Sequence, residues 1–139
     1  MRLLLPMLAA LPTLATPPPP ERHDYDVVVV GATPSGAMAA VAAARAGRAT
    51  LLLEPSAYVG GMMAAGLGVT DHGVHGDTIG GQAVEFFKRV AAHYGVAFAY
   101  PPAGGCSVGG GAGWVFEPHV AEDILRQVST TACSLTVHS

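Results

Sequence analysis

The stretch from Val27 to Glu54 constrains this chain more than any other. Four β-branched residues, Val27 to Val30, lead into Gly31-Ala32-Thr33-Pro34-Ser35-Gly36, and an alanine-rich segment follows as far as Ala46. Consecutive valines suit a strand buried on both faces, as in a parallel sheet. Alanine is the best helix former, so residues 37–46 read as a helix, stopped at Gly47. Ala49 to Leu53 then reads as a second strand, ending at Glu54. Strand, helix and strand within about 28 residues make a β-α-β unit with parallel strands. No charge falls between Val27 and Ala44, so a membrane helix must be weighed. Gly31, Pro34, Ser35 and Gly36 break the stretch into two elements of different type, and no membrane span is expected.

The turn compares with the dinucleotide fingerprint G-x-G-x-x-G. Gly31 holds the first position, where the chain turns sharply out of the strand. Gly36 holds the third, where a missing side chain lets helix and strand pack closely. Thr33 stands at the second, where glycine normally lets the pyrophosphate approach the backbone. A helix N-terminus after such a turn offers N–H groups and a positive dipole end to phosphate. Glu54 lies 18 residues beyond Gly36, at the end of the second strand. An acid there can accept hydrogen bonds from both ribose hydroxyls. A plain β-α-β crossover with structural glycines is the competing reading.

Charge excludes one class of partner. Lys+Arg is 7 against Asp+Glu 10, a formal net charge of -3, with only 12% charged residues. That leaves no basic field for a phosphate backbone, so nucleic-acid binding is not expected. Before the β-α-β unit, Arg2 precedes an apolar run, Leu3 to Leu14, that ends on small residues. This pattern predicts a signal peptide over 1–15 and hence a secreted protein. Pro17 to Pro20 predict an extended linker over 16–24. Removal of the leader would leave 124 of the 139 residues.

After Glu54 comes a glycine pair, Gly60-Gly61, before Met62. At this point the sequence resembles FAD-dependent oxidoreductases with a glutathione-reductase-type flavin domain. The resemblance rests on residues 28–36, Leu51 to Pro55, Gly60 to Met62, Gly66 to Asp71, Gly80 to Gln82 and Phe116 to Glu122. One branch of that family carries Gly-Ala-Thr-Pro in the turn, which accommodates Thr33. The resemblance covers roughly residues 24–130 and implies an α/β fold, a Rossmann-like parallel sheet with a β-α-β FAD-binding unit, over 25–139. It also implies roles. Gly31 and Gly36, with Ala32, Thr33, Pro34 and Ser35 between them, would frame the FAD pyrophosphate. Glu54 would bind the adenosine ribose. Gly60 and Gly61 would lie along the pyrophosphate and the flavin side, and Thr70 and Asp71 near the isoalloxazine ring. None of these is a base or nucleophile; in flavoenzymes the ring carries the redox chemistry and the protein positions it.

Other constellations are weaker. Asp71, His72, His75 and Asp77 offer nitrogen and oxygen ligands, but the loop is glycine-rich and no further ligand is organised, so no metal is expected. His72 as a flavin neighbour or tether is a rarer alternative to an ordinary loop. Gly105-Cys106-Ser107-Val108-Gly109 matches the hydrolase G-x-S-x-G. Pro101-Pro102 before it and a glycine run after it deny it a strand and a helix, so it reads as a loop. Cys106 and Cys133 could pair in an oxidising compartment. Gly81 to His93 reads as an amphipathic helix with Val84, Phe87, Ala91 and Tyr94 on one face. Pro118 to Ser129 reads as another, with Val120, Ile124, Leu125 and Val128 inward and proline in its first turn. Leu135 to Val137 reads as a third strand. Trp114 is expected to pack rather than cover a flavin.

The function expected is that of the flavin-binding part of an FAD-dependent oxidoreductase, passing hydride or electrons through FAD to or from a small-molecule substrate. A non-catalytic dinucleotide-binding module and an NAD(P)-binding Rossmann domain are the alternatives. The length holds a cofactor-binding half. A substrate half would come from a missing domain or a second subunit.

Overall fold

The computed structural model describes residues 24–70, 76–100, 113–132 and 135–138. The expected leader, the expected linker up to residue 23, and Asp71, His72, His75, Cys106, Ser107 and Cys133 lie outside the described residues. The element order is β1 (Val27–Val30), α1 (Pro34–Arg45), β2 (Thr50–Leu53), α2 (Gly61–Ala64), a 3-10 turn (Gly76–Thr78), α3 (Gly81–His93), α4 (Pro118–Thr131) and β3 (Leu135–His138). The three strands form one parallel sheet in the order β1-β2-β3. Val27 pairs with Thr50 and Val30 with Leu53; Thr50 pairs in turn with Leu135 and Leu53 with His138. The β-α-β unit and the third strand therefore stand where the sequence puts them.

Local chemistry fixes α1 at both ends. The Thr33 hydroxyl caps the helix by accepting the Gly36 N–H at 3.2 Å, and Pro34 follows at the first helical position, where its missing N–H costs nothing. At the other end Gly47 takes φ +78°. Its N–H reaches Ala44 O at 2.9 Å, and the Arg48 N–H reaches Ala43 O at 3.1 Å. This is the glycine stop in its Schellman form. Between the caps, Ala37, Ala40, Val41 and Ala44 are buried. Their small side chains let α1 lie close to β1, β2 and α4.

The core sits between the sheet and the helices. Phe86, Phe87 and Val90 from α3 join Val120, Ile124, Leu125 and Val128 from α4 and the fully buried Trp114. Trp114 stacks on Phe87 with ring centroids 4.2 Å apart, and its indole N–H donates to Ala99 O at 2.8 Å. Trp114 is thus a packing residue. The face of α3 includes Phe86 and Val90 and leaves Tyr94 39% exposed, a shift of the apolar stripe from the one read off the sequence.

One expectation is overturned. The valine run is not buried on both faces. Among the described residues α1 and α4 are the helices that pack against the strands, and they cover one side. Val28 and Val30 on the other side are 52% and 75% exposed. Four β-branched residues record a strand's propensity without recording what covers each face.

A second small feature joins two distant segments. Val69 and Val115 form an antiparallel bridge. The Phe116 N–H donates to Gly68 O at 2.8 Å and the Thr70 N–H to Trp114 O at 3.1 Å. A Cβ on Gly68 would overlap the Phe116 carbonyl oxygen. Glycine is required there because two backbones meet.

Candidate functional site

The site forms at the carboxyl ends of β1 and β2, where ligands of open α/β sheets bind. Gly31 leaves β1 with φ +95° and its N–H donates to Leu53 O at 2.7 Å, which sets the turn beside the end of β2. A Cβ on Gly36 would overlap the Gly31 carbonyl oxygen. Gly31 and Gly36 therefore do what the first and third glycines of the fingerprint do: one turns the chain, the other lets helix and turn close up.

Ala32 is the junction of the site. It is fully buried. Its N–H donates to Glu54 Oε2 at 2.7 Å, and its carbonyl accepts the Gly60 N–H at 2.7 Å. The turn, the acid and the glycine pair are thus tied through one residue. The Ser56 N–H also donates to Glu54 Oε1, at 2.8 Å. Hydrogen bonds from Ser56, and then from Ala32, hold the Glu54 carboxyl below its usual range. It is a carboxylate at neutral pH, and its oxygens keep lone pairs for further donors.

Thr33 fits the turn although the fingerprint has glycine there. Its φ of -62° is ordinary, so no glycine is needed for the backbone. Gly61 packs on Thr33: a Cβ there would sit in ordinary contact, 3.5 Å from both Thr33 Cα and Cγ2, and it is the φ of +50° that favours glycine at this position. Gly60, at φ +121°, is closed in from behind, since a Cβ there would come within 2.9 Å of Leu125 Cδ1. Beside the turn a cleft of about 290 Å³ opens between α1, α2 and α3, walled by Pro34, Ser35, Met38, Met63, Gln82 and Phe86.

The structure therefore brings together Gly31, Ala32, Thr33, Pro34, Ser35, Gly36, Glu54, Gly60 and Gly61. Thr70 belongs to a different feature, the bridge with Val115, and its Oγ1 is buried without a hydrogen-bond partner among the described residues. Asp71 lies outside the described residues. No described helix is long and apolar enough to cross a membrane.

A turn that closes on Gly31 and Gly36, an acid tied to it and a glycine pair above it fit a dinucleotide. The comparisons decide which one. Residues 26–138 match the family model described as FAD dependent oxidoreductase. The chain belongs to this FAD-dependent oxidoreductase family. A curated relative, digeranylgeranylglycerophospholipid reductase 2 of Methanopyrus kandleri, is 37% identical over 111 residues, which is 78% of this chain and 27% of the relative. The chain thus spans about a quarter of that relative's length. A crystal structure of Thermovibrio ammonificans THI4 aligns with a TM-score of 0.49 at 21% identity, covering 82% of this chain and 38% of that one. FAD is the cofactor of this oxidoreductase family, and the chain is its FAD-binding portion.

Two residues of the site carry no role in the sequence reading: Glu122 and Arg126. Glu122 Oε1 accepts the Val59 N–H at 3.3 Å and Arg126 Nε at 2.9 Å, and Arg126 Nη2 donates to Ala57 O at 2.9 Å. The signal was present as an acid four residues before a base on a predicted helix. That pattern reads as an exposed helical pair, and spacing alone cannot show that its acid also reaches a loop 63 residues away.

Proposed function

We propose that this chain holds FAD across the Gly31–Gly36 turn, in an oxidoreductase whose substrate is bound by another domain or subunit. The single observation supporting this reading is the double tie at Ala32, whose amide donates to Glu54 and whose carbonyl accepts from Gly60, so that turn, acid and glycine pair meet at one residue. Gly31 and Gly36 frame the pyrophosphate, with Ala32, Thr33, Pro34 and Ser35 forming the turn between them. Glu54 accepts from the ribose hydroxyls of the adenosine. Gly60 and Gly61 lie along the pyrophosphate toward the flavin, and the resemblance implies a role nearer the ring for Thr70 and for Asp71, which is outside the described residues. This is the arrangement of the glutathione-reductase type, and the resemblance of residues 28–36 and 51–55 supports it.

Bound FAD supplies the hydride or electron transfer. The chain's own work is to bind and orient. The turn's backbone and the end of α1 face the phosphates, the Glu54 carboxylate fixes the adenosine end, and Met38, Met63 and Phe86 give the cleft beside them apolar walls. No side chain in this set moves a proton.

We further propose that the protein is secreted, on the strength of the charged start and short apolar run at residues 1–14. A reporter fused behind residues 1–20 would be exported; retention in the cytoplasm would overturn this. Reconstitution tests the cofactor. Protein mixed with FAD and passed through gel filtration is expected to keep a flavin absorption spectrum. Protein that never retains flavin would sink the proposal. Flavin that binds and is reduced by no donor would favour the non-catalytic binding module.

A further inference from the structure

The clamp formed by α4 on the loop before Gly60 is not a generic surface ion pair. Glu122 and Arg126 are neighbours one turn apart on α4, with Glu122 Oε1 2.8 Å from Arg126 Nη2. Pairs of this kind on an exposed helix contribute little. Here both members also hold backbone of another segment. The carboxylate takes the N–H of the fully buried Val59, and the guanidinium takes the carbonyl of Ala57. Leu125, on the same face, closes the space behind Gly60. Residues 55–58 are exposed; the loop is tied at its start by the Ser56 N–H on Glu54 and at its end by the clamp and the buried Val59. The next residue, Gly60, donates to Ala32 O at 2.7 Å, and Ala32 is the residue that holds Glu54.

We propose that Glu122 and Arg126 are positioning residues for the cofactor: by gripping Ala57 and Val59 they hold the Gly60–Gly61 turn on the Ala32 carbonyl and so fix the opening between the two glycine segments. This rests on the reading of that opening as the FAD pyrophosphate site. The pair touches no part of the cofactor and acts through Val59, Gly60 and Ala32. α4 itself does not need the pair, since Val120, Ile124, Leu125 and Val128 bury its other contacts. Removing the pair should therefore move the loop without unfolding the helix.

The test uses the full chain with Glu122→Ala, Glu122→Gln and Arg126→Ala, titrated with FAD and with ADP, and followed by amide exchange at Gly60. Glu122→Ala is expected to weaken FAD and ADP in parallel, by about tenfold, the loss of one hydrogen bond to a charged group. The Gly60 amide should exchange faster while Val90 in α3 keeps its protection. Glu122→Gln retains an acceptor for Val59 and should restore most of the affinity, a rescue that a merely electrostatic pair would not give. Wild-type affinity in Glu122→Ala, or unchanged exchange at Gly60, would overturn the proposal while leaving the FAD reading intact. A wild-type chain that takes no FAD would overturn the FAD reading instead, and with it the cofactor role of the clamp.

Discussion

Ala32 donates its amide to the Glu54 carboxylate across 22 residues of sequence, at 2.7 Å. The acid that closes β2 therefore also shapes the turn that closes β1. Glu54→Ala would remove the proposed ribose acceptor and this tie together. FAD affinity is expected to fall roughly 10–150-fold, the range for lost hydrogen bonds to a charged acceptor. Fluorescence titration would read it, and an unchanged affinity would show that Glu54 does not hold the ribose. The sign of the pH dependence follows from the depressed Glu54 carboxyl. A group that protonates below its usual range stays an acceptor through mild acidification, so this contact should weaken only below the ordinary carboxylate range.

Gly36 is expected to tolerate no side chain. A Cβ there overlaps the Gly31 carbonyl oxygen, which is backbone and cannot swing away. Gly36→Ala should cost at least the ~1–3 kcal/mol of ordinary overpacking and should open the turn. Gly80→Ala is the control, because Gly80 has φ -135° and nothing near its missing Cβ. Urea unfolding of both variants checks this. Equal stability would mean that the turn can relax where the structure says it cannot.

Much of this was legible in the sequence because it is local. The stop at Gly47 and the proline that opens α4 act within a few residues. α3 runs from Gly81 to His93 and β3 starts at Leu135, as the residue pattern predicts. The turn, Glu54 and the glycine pair were also readable, since their spacing along the chain reflects one β-α-β unit. What was not legible is non-local. Exposure of Val28 and Val30 depends on which side the helices take. The need for glycine at Gly68 depends on Phe116. The grip of Glu122 on Val59 depends on where α4 lands. Composition and period do not encode these pairings.

Acid should loosen the contact between α1 and α3 before it affects the core. Arg45 holds Glu85 through Nη1 at 2.7 Å and Nη2 at 2.9 Å, and Arg89 joins at 3.0 Å. Chiefly the Arg45 hydrogen bonds, and then those of Arg89, lower the Glu85 carboxyl from 4.5 to about 2. A carboxyl with a lowered folded-state pKa stabilises the fold above its unfolded value and loses that contribution as pH falls toward the folded one. The melting temperature should thus decline between pH about 4.5 and about 2, and less steeply in Glu85→Gln. Parallel profiles for the two proteins would show that the network does not contribute. Because Arg45 and Arg89 are more than a third exposed, added salt should shrink the difference.

Trp114 separates packing from cofactor contact. It stacks on Phe87, donates to Ala99 O and accepts the Thr70 N–H through its own carbonyl. Trp114→Ala should cost about 3–5 kcal/mol, as for a large aromatic removed from a core. Trp114→Phe keeps a ring against Phe87 but leaves the Ala99 carbonyl without its donor, a smaller loss of about 1–3 kcal/mol. The chain has one tryptophan, so far-UV circular dichroism is the stability probe for both variants. Their flavin spectra give the second readout. A ring lying on the isoalloxazine would perturb its absorption bands when replaced. A ring fully buried among Phe87, Phe98 and Tyr100 would leave those bands in Trp114→Phe as they are in the wild type, and a shifted flavin spectrum in that variant would move Trp114 from the core to the cofactor.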